Sequence, residues 1–303
     1  MRMAMIGLGR MGGNMTRRLC RDGIEVVGYN RSPEPARRLA AEEAGFEAAA
    51  SLAEAVDRLS PPRMIWLMVP AGEPTEQALD KLRGLLDAGD VVVDGGNANY
   101  HDTQRRGAEL AARGIRLVDA GTSGGVWGLE NGYCLMVGGE TEAVAAIEPA
   151  LRALAPGPER GWAHVGPVGA GHFTKMIHNG IEYGMMQALA EGLALLKGKE
   201  ELALDLAQIA ELWRHGSVIR SWLLDLSAGF LAEDQGLESL EPYVADSGEG
   251  RWSAAESIDQ GVAAPVISLA LQMRFASQGG SDYAHRLLAM MRNAFGGHAV
   301  KGE

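Results

Sequence analysis

The sequence predicts an α/β protein: a doubly wound parallel sheet domain at the N-terminus, followed by an all-helical C-terminal domain. Two observations carry this. In the first half, short apolar runs that hardly alternate are separated by amphipathic stretches, the pattern of strands buried on both faces and joined by crossover helices. Beyond Gly171 the strand signals almost vanish and long helical periodicities replace them.

Taken in order, residues 3–6, 25–28, 64–69, 91–94 and 115–118 read as strands. Helical candidates lie between them at 13–21, 35–44, 52–59, 75–86 and 103–112. Residues 133–137 form one more strand, followed by a helix over 140–154. At 155–160 the composition shifts, with Pro156, Gly157 and Pro158 in succession. Helical patterns then cover 171–197, 202–214, 217–227, 254–260, 265–276 and 282–295. The domain boundary is expected near residue 165, giving a nucleotide domain over 1–165 and a helical domain over 166–303. No internal repeat is visible.

The length of 303 residues suits two domains at about 100–200 residues each. With 47% apolar and 22% charged residues, a sizeable core is possible, and disordered or fibrous architectures are excluded. A net charge of −11 argues against nucleic acid or an anionic membrane as the main partner. An anionic small molecule stays possible, because a local cluster of Arg and Lys overrides the global sign. Cys20 and Cys134 have no CxxC or neighbouring His, so neither a disulfide framework nor a zinc site is expected, and a reducing compartment fits. There is no signal-peptide core and no apolar run near the ~20 residues that span a bilayer. The expected location is the cytoplasm.

Gly7-Leu8-Gly9-Arg10-Met11-Gly12 follows the first strand directly and opens a helix. In a Rossmann-type turn the first glycine makes the bend, the second lets the backbone approach a pyrophosphate, and the third allows close helix–strand packing. An NAD-specific turn places an acid at the end of the second strand; here stand Asn30, Arg31 and Ser32. Arg31 can pair with a 2′-phosphate, and Asn30 and Ser32 can hydrogen-bond it. NADP is therefore expected ahead of NAD. Val69, Pro70 and Asn97 follow later strands, at the carboxyl edge where ligands of open sheets gather.

Ser123, Gly124 and Gly125 close a small-residue stretch that begins at Asp119 and reads as a loop able to face an anionic group. Farther on, Lys175, His178, Asn179 and Glu182 fall at i, i+3, i+4 and i+7, one stripe of a long helix. The helix is otherwise rich in Met, Ile and Leu and is expected to be largely buried; if that stripe lay outside, it would be an ordinary salt-bridged face. Arg292 ends the last helical stretch and His298 follows it, positions where basic side chains often serve the helix dipole.

Together these residues resemble the decarboxylating 6-phosphogluconate dehydrogenases, within the wider β-hydroxyacid dehydrogenase superfamily. The resemblance covers nearly the whole chain and points to the short bacterial branch. It rests on GLGRMGGNM at 7–15, Asn30-Arg31-Ser32, Asp94-Gly95-Gly96-Asn97, Ser123-Gly124-Gly125, KMIHNGIEY at 175–183 and the tail RNAFGGH at 292–298. One segment departs: the family's KGTGxW reads Ser247-Gly248-Glu249-Gly250-Arg251-Trp252. Ser247 thus stands where longer members carry a phosphate-binding lysine, with Arg274 and Arg251 as candidate substitutes.

The resemblance implies that Lys175 takes the proton of the substrate 3-hydroxyl and that Glu182 later protonates carbon after loss of carbon dioxide. It implies that His178, Asn179, Tyr183 and Asn97 hold the substrate, and that Ser123, Gly124 and Gly125 hold its carboxylate. Arg274 would meet the phosphate, with Arg292 and His298 reaching a neighbouring subunit's site in a homodimer or homotetramer. No metal is called for. Two other readings compete: a generic β-hydroxyacid dehydrogenase or reductase, which Glu182, Tyr183 and the Arg292/His298 tail argue against, and a redox-silent NADP-binding module, which the paired Lys175 and Glu182 disfavour.

Overall fold

A computed structural model describes residues 1–296. Its first part alternates as β1 (Arg2–Ile6), α1 (Arg10–Arg21), β2 (Glu25–Tyr29), α2 (Glu34–Glu42), β3 (Phe46–Ala48), α3 (Leu52–Asp57), β4 (Met64–Leu67), α4 (Glu73–Arg83), β5 (Val91–Asp94) and α5 (Tyr100–Ala111). It continues as β6 (Arg116–Ser123), α6 (Gly128–Asn131), β7 (Cys134–Gly139), α7 (Thr141–Leu154) and β8 (Trp162–Gly166). These strands form one sheet in the order β3-β2-β1-β4-β5-β6-β7-β8. Every neighbouring pair is parallel except the antiparallel β6–β7.

Alternate residues of each central strand feed two cores, one per face. On β1, Met3 and Met5 join one cluster, while Ala4 and Ile6 join the other. Burial on both faces explains why the strands read as continuous apolar runs. The chain crosses from one half of the sheet to the other between β1 and β4, so their carboxyl ends open the crevice where doubly wound sheets bind ligands.

Three details differ from expectation. The 119–123 stretch is not a loop; it extends β6 to Ser123 and pairs in register with β7. Gly121 has no side chain because a helix, residues 170–197, lies on it, so the end of β6 carries no apolar run. The short β3 and the edge strand β8 have no counterpart among the strands expected from the sequence. In β8 the middle residues Ala163, His164 and Val165 are exposed, which removes the apolar run a buried strand would show.

The remainder is helical: α8 (Ala170–Lys197), α9 (Leu206–Trp213), α10 (Trp222–Glu233), α11 (Glu249–Asp259), α12 (Pro265–Ser277) and α13 (Asp282–Gly296). Helix α10 starts later than periodicity suggests because Ser221 caps it, its Oγ accepting from the Leu224 N–H at 3.1 Å. The chain divides into two compact units, the first ending at Met176 and the second beginning at Ile177, so the division falls within α8. In the second unit, Leu206, Ala210, Leu224, Ala228 and Leu231 form one small core, and Tyr183, Ala270 and Leu271 another. Helix α8 is buried at Lys175 and Met176 and again at Tyr183, whereas Ile181, Met185 and Leu195 are exposed; the expectation of a largely buried helix holds for one face of its first half. Among the described residues, no helix is long and apolar enough to cross a membrane.

Candidate active site

The glycine turn after β1 is shaped by close approach. A Cβ at Gly7 would lie 2.3 Å from the Met68 carbonyl oxygen, and one at Gly12 would lie 2.0 Å from the Gly7 carbonyl oxygen. Gly9 is the opposite case: nothing lies within 4 Å of where its Cβ would stand. It precedes α1 without a side-chain cap. Uncapped N–H groups at a helix start, with clear space before them, fit a pyrophosphate. The donor set and the cradle therefore suit a dinucleotide.

The neighbouring loop is tied to this turn. Asn30 Oδ1 accepts the Leu8 N–H at 2.9 Å, and Nδ2 donates to the Ser32 carbonyl and hydroxyl, each at 3.0 Å. The Asn30 amide thus spans both loops. Arg31 beside it is exposed, and its guanidinium makes no hydrogen bond or ion pair to another described residue. Arg10 is likewise exposed and Met11 half-buried. Past β4, Val69 packs beneath the turn and Pro70 is exposed. After β5, Asp94 Oδ1 accepts the Gly96 N–H at 3.1 Å, while its Oδ2 lies 3.4 Å from Nη1 of the buried Arg106. Asp94 so fixes the turn that presents the exposed Asn97.

Lys175 is 7% exposed, and its place is set by contacts that sequence reading missed. A Cβ at Gly121 of β6 would stand 2.4 Å from Lys175 Cβ. A Cβ at Gly171 would stand 2.4 Å from the Met136 carbonyl oxygen. Glycine at both positions lets the first turns of α8 rest directly on β6 and β7. Asp119, fully buried on β6, then closes the helix start: its Oδ1 accepts the Gly169 N–H at 2.7 Å and its Oδ2 the His172 N–H at 2.8 Å. A carboxylate there satisfies two orphan donors and suits the positive end of the helix. The signal in the sequence was an acid directly after the apolar run of 115–118; in the structure Asp119 pairs in register with Asp94 of β5. Ser123 ends β6 opposite Cys134, with Gly124 and Gly125 next.

In the second unit, His178 Nδ1 lies 3.0 Å from Asn179 Oδ1 and 3.8 Å from Glu182 Oε2. The side chains of His178 and Glu182 are 38% and 39% exposed, leaving both accessible. Tyr183 is buried, its hydroxyl donating to Asp246 Oδ1 at 3.4 Å and lying 3.4 Å from Ser247 Oγ. The Arg274 guanidinium stacks 3.3 Å from the Tyr183 ring centroid and donates to the Ala245 carbonyl at 2.9 Å. Arg251 pairs with Asp246 and stacks 4.3 Å from the Phe275 ring centroid. Burial pushes the Asp246 carboxyl up, but Arg251 and the Gly248 N–H outweigh it and hold it below the usual carboxylate range. Ser247 turns inward, donating to the buried Glu249 at 2.6 Å. The cations near this loop are thus Arg251 and Arg274, both fastened to residues 245–246. Arg292 is exposed on α13. His298 lies outside the described residues.

A glycine-turn sheet domain followed by helices is the architecture of a nucleotide-binding dehydrogenase. Residues 2–166 match the NAD binding domain of 6-phosphogluconate dehydrogenase, and residues 171–298 match that enzyme's C-terminal domain. A Haloferax volcanii protein named 6-phosphogluconate dehydrogenase, NAD(+)-dependent, decarboxylating, is 43% identical over 302 residues, covering 99% of this chain and 98% of its own. The Escherichia coli 6-phosphogluconate dehydrogenase, decarboxylating, is 37% identical over 91% of this chain but 61% of its own, so the chain spans about three fifths of that longer relative. The solved Plasmodium falciparum 6-phosphogluconate dehydrogenase, described apo, with NADP+ and with 6-phosphogluconate, shares the fold. It superposes with a TM-score of 0.85 at 24% identity, covering 100% of this chain and 67% of its own. The chain belongs to the 6-phosphogluconate dehydrogenase family.

Proposed function

We propose that the protein oxidatively decarboxylates 6-phosphogluconate to ribulose 5-phosphate and carbon dioxide, using NADP in preference to NAD. The observation that carries this is on α8. Lys175 stands in the slot that Gly121 leaves open, and Glu182 follows at i+7, two turns along the same stripe. A base and an acid so arranged suit a reaction with two separate proton transfers.

Lys175 takes the 3-hydroxyl proton as the C3 hydrogen departs with its electron pair. The bound dinucleotide supplies the acceptor for that hydride. The resulting 3-keto acid loses its carboxyl group as carbon dioxide, because the ketone accepts the released electrons. Lys175, now protonated, stabilises the oxygen anion that develops. Glu182 then delivers a proton to C1 of the enediol, giving ribulose 5-phosphate. His178, Asn179 and Asn97 orient the substrate hydroxyls, while Ser123, Gly124 and Gly125 hold the carboxylate. Tyr183, Arg274 and Arg251 receive the phosphate; the two stacked guanidiniums keep N–H groups beyond those bonded to residues 245–246.

In this reading residues 1–165 bind the dinucleotide, and residues 166–303 bind substrate and make the dimer. Arg31, with no partner among the described residues, pairs with the 2′-phosphate, while Gly7, Leu8, Gly9, Arg10, Met11 and Gly12 surround the pyrophosphate. Arg292 and His298 complete a neighbouring protomer's site. The two free thiols, Cys20 and Cys134, suit the cytoplasm. The test is a spectrophotometric assay with 6-phosphogluconate, comparing NADP with NAD. Reduction with kcat/KM higher for NADP supports the whole reading. Equal or better use of NAD overturns the cofactor choice, and no reduction with either overturns the activity.

A further inference from the structure

We infer that His172 is a positioning residue for Lys175, acting as a fixed Nδ1–H imidazole that locks the first turn of α8 to the first turn of α5. The inference rests on the reading of Lys175 as the base. His172 is 1% exposed and stands three residues before Lys175, so helical spacing puts both on one face. Its backbone N–H is already held by Asp119. Its ring nitrogen Nδ1 lies 2.7 Å from the hydroxyl of Thr103, itself fully buried on α5. That hydroxyl also lies 3.2 Å from the Asn99 carbonyl, which it reaches as a donor.

The hydrogen positions follow from counting. A threonine hydroxyl has one proton, and the carbonyl of Asn99 can only accept. With that proton on Asn99, the hydroxyl oxygen accepts from His172, so Nδ1 carries the ring hydrogen. The alternative would put the hydrogen on Nε2, which is buried with no hydrogen-bond partner among the described residues. An orphaned buried donor is the rarer and costlier outcome. The chain of contacts therefore runs Asp119, the start of α8, His172, Thr103 and Asn99. Asn99 caps α5, its side chain accepting from the His101 N–H, and it lies two residues beyond Asn97. One small network so registers the proposed base against the loop that follows β5.

Two measurements test this. The first does not involve turnover: two-bond ¹H–¹⁵N spectra of protein labelled at histidine, taken at about pH 8, well above the ordinary histidine pKa of ~6.5. The His172 signal, assigned by its loss in His172→Asn, is expected to show the Nδ1–H tautomer, and an Nε2–H tautomer overturns the inference. The second compares His172→Asn, His172→Gln and His172→Leu. The Asn amide can donate from near the Nδ1 position, whereas Gln reaches toward Nε2 and Leu donates nothing. We expect His172→Leu and His172→Gln to lower kcat by about 100-fold, the scale of a base displaced by about 1 Å, with KM little changed and most of kcat recovered in His172→Asn. Equal losses in all three variants, or losses confined to KM, overturn it. If the unmodified protein fails to oxidise 6-phosphogluconate, the functional reading falls, while the tautomer still decides whether the network is as described.

Discussion

At Lys175 the amine serves the proposed chemistry and the aliphatic stem serves the packing. Lys175→Met keeps a chain of similar length over Gly121, so the fold and dinucleotide binding should persist. Turnover should fall by about 10²–10⁴-fold, the usual contribution of general base catalysis. Stopped-flow kinetics with a fluorescence titration of the dinucleotide would check both halves; substantial turnover in the variant removes Lys175 from its role. Glu182→Gln should leave hydride transfer nearly intact and slow the later protonation, appearing as a burst of reduced dinucleotide before a slower steady state. At the opposite end of the substrate, Arg251→Ala should raise the KM for 6-phosphogluconate about 10-fold, in keeping with ~1.5–3 kcal/mol for a hydrogen bond to a charged group. The KM for the dinucleotide should not move. An unchanged substrate KM would leave Arg274 without Arg251 as a phosphate ligand. Asn30→Asp tests the cofactor loop: the carboxylate can still accept the Leu8 N–H but cannot donate to Ser32, and it repels a 2′-phosphate. The ratio of kcat/KM for NADP over NAD should drop.

Between elements, Asp119 ties the start of α8 to β6. Asp119→Ala would strip two buried N–H groups at the start of α8 of their acceptor, at a cost of about 2–4 kcal/mol. Urea denaturation would show it as a lower midpoint; an unchanged midpoint would mean the cap is dispensable. Gly121→Ala should lower stability and turnover together, because the added methyl would stand 2.4 Å from Lys175 Cβ and 2.8 Å from the Gly171 carbonyl oxygen. These residues also mark where sequence reading ran out. The glycine turn and the α8 stripe were legible because their meaning is local: spacing along one strand–turn–helix or one helix. Asp119 and Gly121 take theirs from a helix some fifty residues away, and β8 hides because an exposed edge strand has no apolar run. The thiols offer a check on packing at this scale. Burial pushes the Cys20 thiol up to about 11, so at neutral pH it is almost wholly protonated and unreactive. Alkylation should label the exposed Cys134 first.

Across the whole molecule, the second unit leaves much apolar surface uncovered. Trp222 and Phe230 on α10, Val266 and Leu269 on α12, and Leu288 and Met291 on α13 are each 46–66% exposed. These side chains, spread over three helices, are apolar surface available to the proposed assembly through the helical region. If Arg292 acts in the neighbour's site, mixing inactive Lys175→Met with inactive Arg292→Ala should restore activity, because mixed dimers regain one intact site. No recovery despite demonstrated subunit exchange would place Arg292 in its own protomer. Oxidation and loss of carbon belong to one proposed reaction. They are tested together by supplying 6-phosphogluconate labelled at C1 and counting products in one reaction. The account predicts one labelled carbon dioxide released for each dinucleotide reduced. Reduced dinucleotide with the label retained in an acid product would contradict it.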